Sequence, residues 1–235
     1  MKRMALLLLC AATLAVTAPA ARASGTDVLL FGFTGFDYED PDTSPGTYLA
    51  VGEGYKVVGH LTSVGSYLEP WVDTSVNEYT MHMFDLTVNG NFFVAPFLTV
   101  TFNNNGRGRY YEDALSGGTP AVYGTNPPNA TSPSTFIDGA MQIGGDIDNF
   151  VLVYDYSIND GNFYGDMTLD EGPDLIYIPP GQYAGWVIGG INNHGLGGNP
   201  TIPAGYDHQV DGECRIPGKT PTTHTSWGSI KALYR

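Results

Sequence analysis

The clearest hydrophobic pattern in the chain runs from Asn77 to Phe102, where two apolar segments flank Asn89-Gly90. Asn-Gly between alternating segments predicts a two-residue hairpin, because both central residues of a type I′ turn take positive φ. The register that follows sets Val88 against Asn91, Leu86 against Phe93, His82 against Phe97 and Met81 against Leu98. Tyr79, Met81, Met83, Phe92, Val94, Leu98, Val100 and Phe102 then share one side, which reads as core. Pro96 falls opposite Met83, so the second strand is expected to be an edge or to carry a bulge there.

A second alternation starts at Phe150. Phe150, Leu152, Tyr154, Tyr156 and Ile158 interleave with more polar positions, and after Asn159-Asp160-Gly161-Asn162 the pattern resumes with Phe163, Gly165, Met167 and Leu169. Ile158 is expected to face Phe163, with Asp155, Ser157, Tyr164, Asp166, Thr168 and Asp170 on the wet side. Shorter strands are expected at Val28–Phe36, Thr47–Val51, Tyr55–Val64, Phe136–Ile143, Asp174–Ile178 and Tyr183–Ile191. Long loops are expected at Ser116–Thr135 and His194–Pro200. Eight to ten hairpin-connected strands predict an all-β fold, an antiparallel β-sandwich of jelly-roll or immunoglobulin-like type. A 3.6-residue spacing appears only at the end, where Thr225-Ser226 could cap a short C-terminal helical tail carrying Trp227, Ile230, Leu233 and Tyr234.

The start of the chain changes the picture. Lys2-Arg3, an apolar run over Met4–Val16 and Ala21-Arg22-Ala23 have the form of a signal peptide cleaved before Ser24. The run is shorter than the ~20 residues a membrane span requires. The expected organisation is a signal peptide over 1–23, a β-sandwich over 24–214 and a linker with a short segment over 215–235. The product would be exported, whether secreted, periplasmic or held at the cell surface, with no membrane span in the mature chain.

Removing Lys2, Arg3 and Arg22 from the ten basic residues leaves seven against 24 acidic ones. Such a surface repels nucleic acid and suits Ca²⁺, a cationic partner or neutral glycans. Cys214 is the only cysteine after Ser24, so no internal disulfide can form and stability rests on burial and sheet hydrogen bonds.

The candidate chemistry follows from the second hairpin. Its register places Asp155 opposite Asp166, and two like charges across a ladder call for a metal such as Ca²⁺, a shared proton or splaying into water. The same spacing would suit a retaining glycosidase. The acidic loop from Asp37 to Gly46 offers a second set of oxygen ligands for a hard cation. Trp71, Tyr110, Tyr111 and Trp186 could form a platform for sugars, with Arg107 and Arg109 beside the tyrosines. The five histidines are scattered without zinc spacing, and the chain holds no Gly-x-Ser-x-Gly elbow, phosphate loop or dinucleotide fingerprint. The expected function is a non-catalytic binding or cell-surface assembly module with a protein or glycan partner, its C-terminal segment a sorting or attachment element. The alternatives are a polysaccharide-acting hydrolase using Asp155 and Asp166, and a small outer-membrane β-barrel.

Overall fold

The computed structural model describes residues 27–44, 48–123, 135–193 and 202–217. They form nine strands: β1 Val28–Glu39, β2 Gly54–Val64, β3 Asn77–Val94, β4 Phe97–Phe102, β5 Gly106–Ala114, β6 Ala140–Asp155, β7 Asp160–Glu171, β8 Trp186–Asn193 and β9 His208–Ile216. Two short 3₁₀ turns, Pro173–Tyr177 and Pro180–Gln182, lie between β7 and β8.

The sheet closes on itself. Phe33 of β1 faces Leu61 of β2 on one side and Gly212 of β9 on the other. From β2 the antiparallel ladder continues through β3, β5, β6, β7 and β8 back to β9. Eight strands therefore make an up-and-down barrel, and β4 is an extra strand paired with β3 and β6. This corrects the expected sandwich, of jelly-roll or immunoglobulin-like type. The physical reason is β9, which lies in a segment without strong alternation and supplies the ladder between the first strand and the last. The expected C-terminal helical tail lies outside the described residues, as does the proposed signal peptide.

Away from one mouth the interior is apolar. Phe31, Phe33, Met81, Met83, Ile143, Leu152, Phe163, Met167, Trp186 and Ile188 fill it in alternation along their strands. Outward positions of β7 are Asp160, Asn162, Tyr164, Asp166, Thr168 and Asp170, and those of β9 include Asp211 and Glu213. On the far wall Tyr38 and Val58 face outward but are covered by Phe136 and Tyr206, forming a second apolar layer outside β1 and β2. Backbones approach closely where Gly35 faces Gly59, since a Cβ on Gly35 would lie 2.0 Å from the Val58 carbonyl oxygen.

Both expected hairpins exist, but each turns at a different place. β3 runs straight through Asn89-Gly90, where the register shift between Val88 and Gly90 accommodates one extra residue, and reverses at Ala95-Pro96 with Val94 opposite Phe97. Pro96 lies in the turn, where it needs no ladder partner, so neither an edge strand nor a bulge is required to house it. In the second hairpin β6 ends at Asp155 and the loop is 156–159, so Tyr154 faces Gly161 and Leu152 faces Phe163. The Asp155 carboxylate accepts from the Ser157 amide and hydroxyl at 2.8 and 2.6 Å, which closes the turn before Asn159-Asp160-Gly161 is reached.

β4 and β5 lie end to end between β3 and β6. The lower half of β3, Asn77–Phe84, pairs with β5, and its upper half, Val88–Val94, pairs with β4. The break crosses all three slots at one height: Asp85 and Asn149 both have positive φ, and Asn103–Asn105 separate β4 from β5. Amide side chains hold this line, with the Asn103 Oδ1 accepting from the Thr87 amide at 2.7 Å and the Asn104 Oδ1 from the Asn149 amide at 3.1 Å.

Candidate functional site at the barrel rim

One end of the barrel gathers the ends of β1, β6 and β8 and the starts of β2, β7 and β9, and it carries the polar chemistry. Alternation along β1 sends Phe31, Phe33, Gly35 and Asp37 inward, so Asp37 is fully buried. Its Oδ1 accepts from the His208 amide at 2.7 Å and faces His208 Nδ1 at 3.2 Å. Its Oδ2 accepts from Asn192 Nδ2 at 2.6 Å and the Tyr48 hydroxyl at 3.1 Å. A buried carboxylate is tolerable only with donors of this number. Burial of His208 opposes its charge, but Asp37, assisted by Asp207 and Glu39, outweighs that and holds the imidazole above its ordinary range. Tyr48 and Tyr154 pack their rings against His208, and burial with the Asp37 charge raises the Tyr48 phenol.

The described parts of the β1–β2 connection, residues 40–44 and 48–53, form a strap at this end, tied to the network by the Tyr48 hydroxyl. Glu39 accepts from the Leu49 amide, and Glu53 accepts from the Ala50 amide at 2.5 Å and the Thr43 amide at 3.2 Å. Carboxylate oxygens of Glu39, Asp42 and Glu53 lie within 4.8 Å of one another. Burial, against the hydrogen bond from Leu49, and then the charges of Asp207, Glu53 and Asp42 push Glu39 up to about 8. Chemically this is an oxygen set that a hard cation would accept. Its hydrogen bonds to the strap amides already give each of the two glutamates a structural role.

Outside the rim the surface turns apolar. The β3–β4 hairpin rises past the barrel with Phe92 69% exposed, Phe93 58%, Val94 54% and Phe97 48%. Below it a shallow depression of about 230 Å³ is lined by Phe97, Val153, Ile158 and Ile191, with Asp155 and Asp160 at its margin.

The residues singled out from sequence fall apart in space. Asp155 lies opposite Asp160 and Phe97, whereas Asp166 lies opposite Asp148 and Val187 and accepts from Asn149 Nδ2 at 2.8 Å. The turn of the hairpin that was expected to oppose them is centred three residues earlier, so Phe163 faces Leu152 rather than Ile158 and the register is displaced by six positions. Tyr110 and Trp186 are core residues, their polar atoms donating to Asp174 and to the Gln182 carbonyl, and Tyr111 is buried. Trp71 alone of the four aromatics stays exposed, stacked on Tyr177 at 4.2 Å. Arg107 and Arg109 are engaged by Asp146, Asp170 and Glu171. Sequence reasoning put Asp37 at the start of the acidic loop, whereas β1 runs on to Glu39, and did not join it to Asn192 and His208; the signal available was parity, since Asp37 continues Phe31 and Phe33, and Asn192 continues Trp186 and Ile188.

No family model, no curated protein and no solved structure matches the chain.

Proposed function

We propose that this is an exported, non-catalytic binding barrel that docks a protein surface through the β3–β4 hairpin and the apolar wall beneath it. The observation that carries the reading is the hairpin itself: four large apolar side chains are presented to solvent beyond the barrel rim, where nothing in the core requires them. A glycan is a poorer fit, since three of the four aromatics that could have formed a platform are buried. The hydrolase reading loses its support with the separation of Asp155 from Asp166. The closed barrel is compatible with a small outer-membrane barrel, but such a barrel needs a lipid-facing apolar band, and Asp160, Asp166 and Asp170 of β7 and Asp211 and Glu213 of β9 interrupt one.

A photo-crosslinking residue placed at Phe92, and as a control at Thr168 on the acidic wall, tests the reading in the exporting cell. Protein adducts at position 92 and none at 168 are expected. Equal labelling at both positions, or none at 92, overturns it.

A further inference from the structure

Past Val88, β3 has a strand neighbour on one side only among the described residues. Up to Val88 the strand is paired on both edges, the last contacts on the β2 side being Val88 to the Glu53 carbonyl and the Gly52 amide to Val88, both 2.9 Å. Beyond it, Asn89–Val94 hydrogen-bond to β4 alone among the described residues, apart from the Asn91 side chain reaching the Leu49 carbonyl. An open edge is normally guarded by charge, by proline on the edge or by shortness. Here the chain from Leu86 to Gly106 has no charged side chain, in a protein of formal charge −14.

From this edge we infer that the partner, on the docking reading above, is a second copy of the same chain, joined edge to edge through the upper half of β3. A strand meeting its own copy about a two-fold axis runs antiparallel to it, so the open amides and carbonyls of each copy complete the ladder of the other. Charge favours this occupant. Two bodies this acidic repel each other on most approaches, and the uncharged hairpin is where they can meet without opposing like charges. Area sets the strength. Phe92 and Val94 on the strand and Phe97 beside them, each about half exposed or more, offer on the order of 300 Å² per copy against about 800 Å² per partner in a typical stable complex. The pairing is therefore reversible, with dissociation in the micromolar range.

Analytical ultracentrifugation of residues 24–235 across that range reads the inference directly. Wild-type protein is expected to shift from monomer to dimer with concentration. F92K is expected to weaken the dimer by about ten-fold or more, since lysine on an edge strand blocks pairing, and T168K is expected to leave it unchanged. Phe92 is largely exposed, so F92K should fold, as a thermal melt will show; V94K serves as an independent second variant. A chain that stays monomeric throughout, or a dimer indifferent to both F92K and V94K, overturns the inference. Monomeric protein that still gives adducts to a different protein at position 92 removes the self-pairing and keeps the docking reading, whereas monomeric protein without adducts removes both.

Discussion

His208 Nδ1 faces Asp37 Oδ1 at 3.2 Å inside the barrel mouth, and the two side chains are 6% and 0% exposed. The pair joins β9 to β1, the ladder that closes the barrel, and Asn192 and Tyr48 tie β8 and the strap to the same carboxylate. Removing the acid takes the carboxylate from the His208 amide and Nδ1, from the Tyr48 hydroxyl, and from Asn192 Nδ2, which keeps the Tyr55 hydroxyl. Asp37→Ala is therefore expected to cost about 3–5 kcal/mol in urea unfolding, the range for breaking one side of a buried pair. A loss below about 1 kcal/mol would show that the network does not hold the mouth together.

The same end of the molecule predicts how stability follows pH. The unfolded chain releases the His208 proton near 6.5 and the folded chain holds it to higher pH. The contribution of that proton is complete below 6.5 and fades as pH rises through the folded value. Glu39 has the same sign, its unfolded value being 4.5 and its folded value about 8. Its retained proton stabilises the fold most fully below about 4.5, and the gain is gone above about 8. Melting temperature is expected to fall from pH 5 to pH 9, and Glu39→Gln is expected to flatten the part between 5 and 8. Equal slopes in the two proteins would remove Glu39 from the explanation.

The three carboxylates of the strap pose a question about calcium. Any ion has to compete with the Leu49, Ala50 and Thr43 hydrogen bonds and with the Glu39 proton. Millimolar Ca²⁺ at pH 7 is accordingly expected to move the melting temperature by less than about 1 °C. A rise of several degrees, reversed by EDTA and absent from Asp42→Asn, would make the cluster a cation site.

Gly35 tests the closeness of β1 and β2. Its Cβ would meet the backbone of Val58 and Gly59 rather than a side chain able to move aside. Gly35→Ala is expected to destabilise by about 1–3 kcal/mol, the usual cost of overpacking, read from denaturant midpoints. An unchanged midpoint would mean that the two strands can separate there at no cost.

Much of the barrel was legible in the alternation. Phe163, Gly165, Met167 and Leu169 point inward and Asp166, Thr168 and Asp170 outward, as the period of two requires, and this survived a wrong register because the displacement was an even number of positions. What failed was the location of the turns. Asn89-Gly90 has the composition of a hairpin turn but sits inside the β3–β4 ladder, at a register shift opposite Thr101 and Phe102, a relation between segments that no local pattern encodes. β5 carries Arg107, Arg109, Glu112 and Asp113, whose charges hid a strand with one face on the core. The mouth network was hidden for a related reason: a single Asp, Asn or His reads as loop chemistry until the strand that turns it inward is known.

The line through Asp85, Asn103–Asn105 and Asn149 divides the wall into two storeys with different obligations. Below it every strand helps to close the circle, and a change in length shifts the register all the way round. Above it the β3–β4 arm is paired with the end of β6 and, past Val88, meets the β2 side only through the Asn91 side chain among the described residues. Two residues added to or taken from each arm would leave every side chain facing the way it does now, so the reach of the hairpin can be varied while the circumference stays fixed.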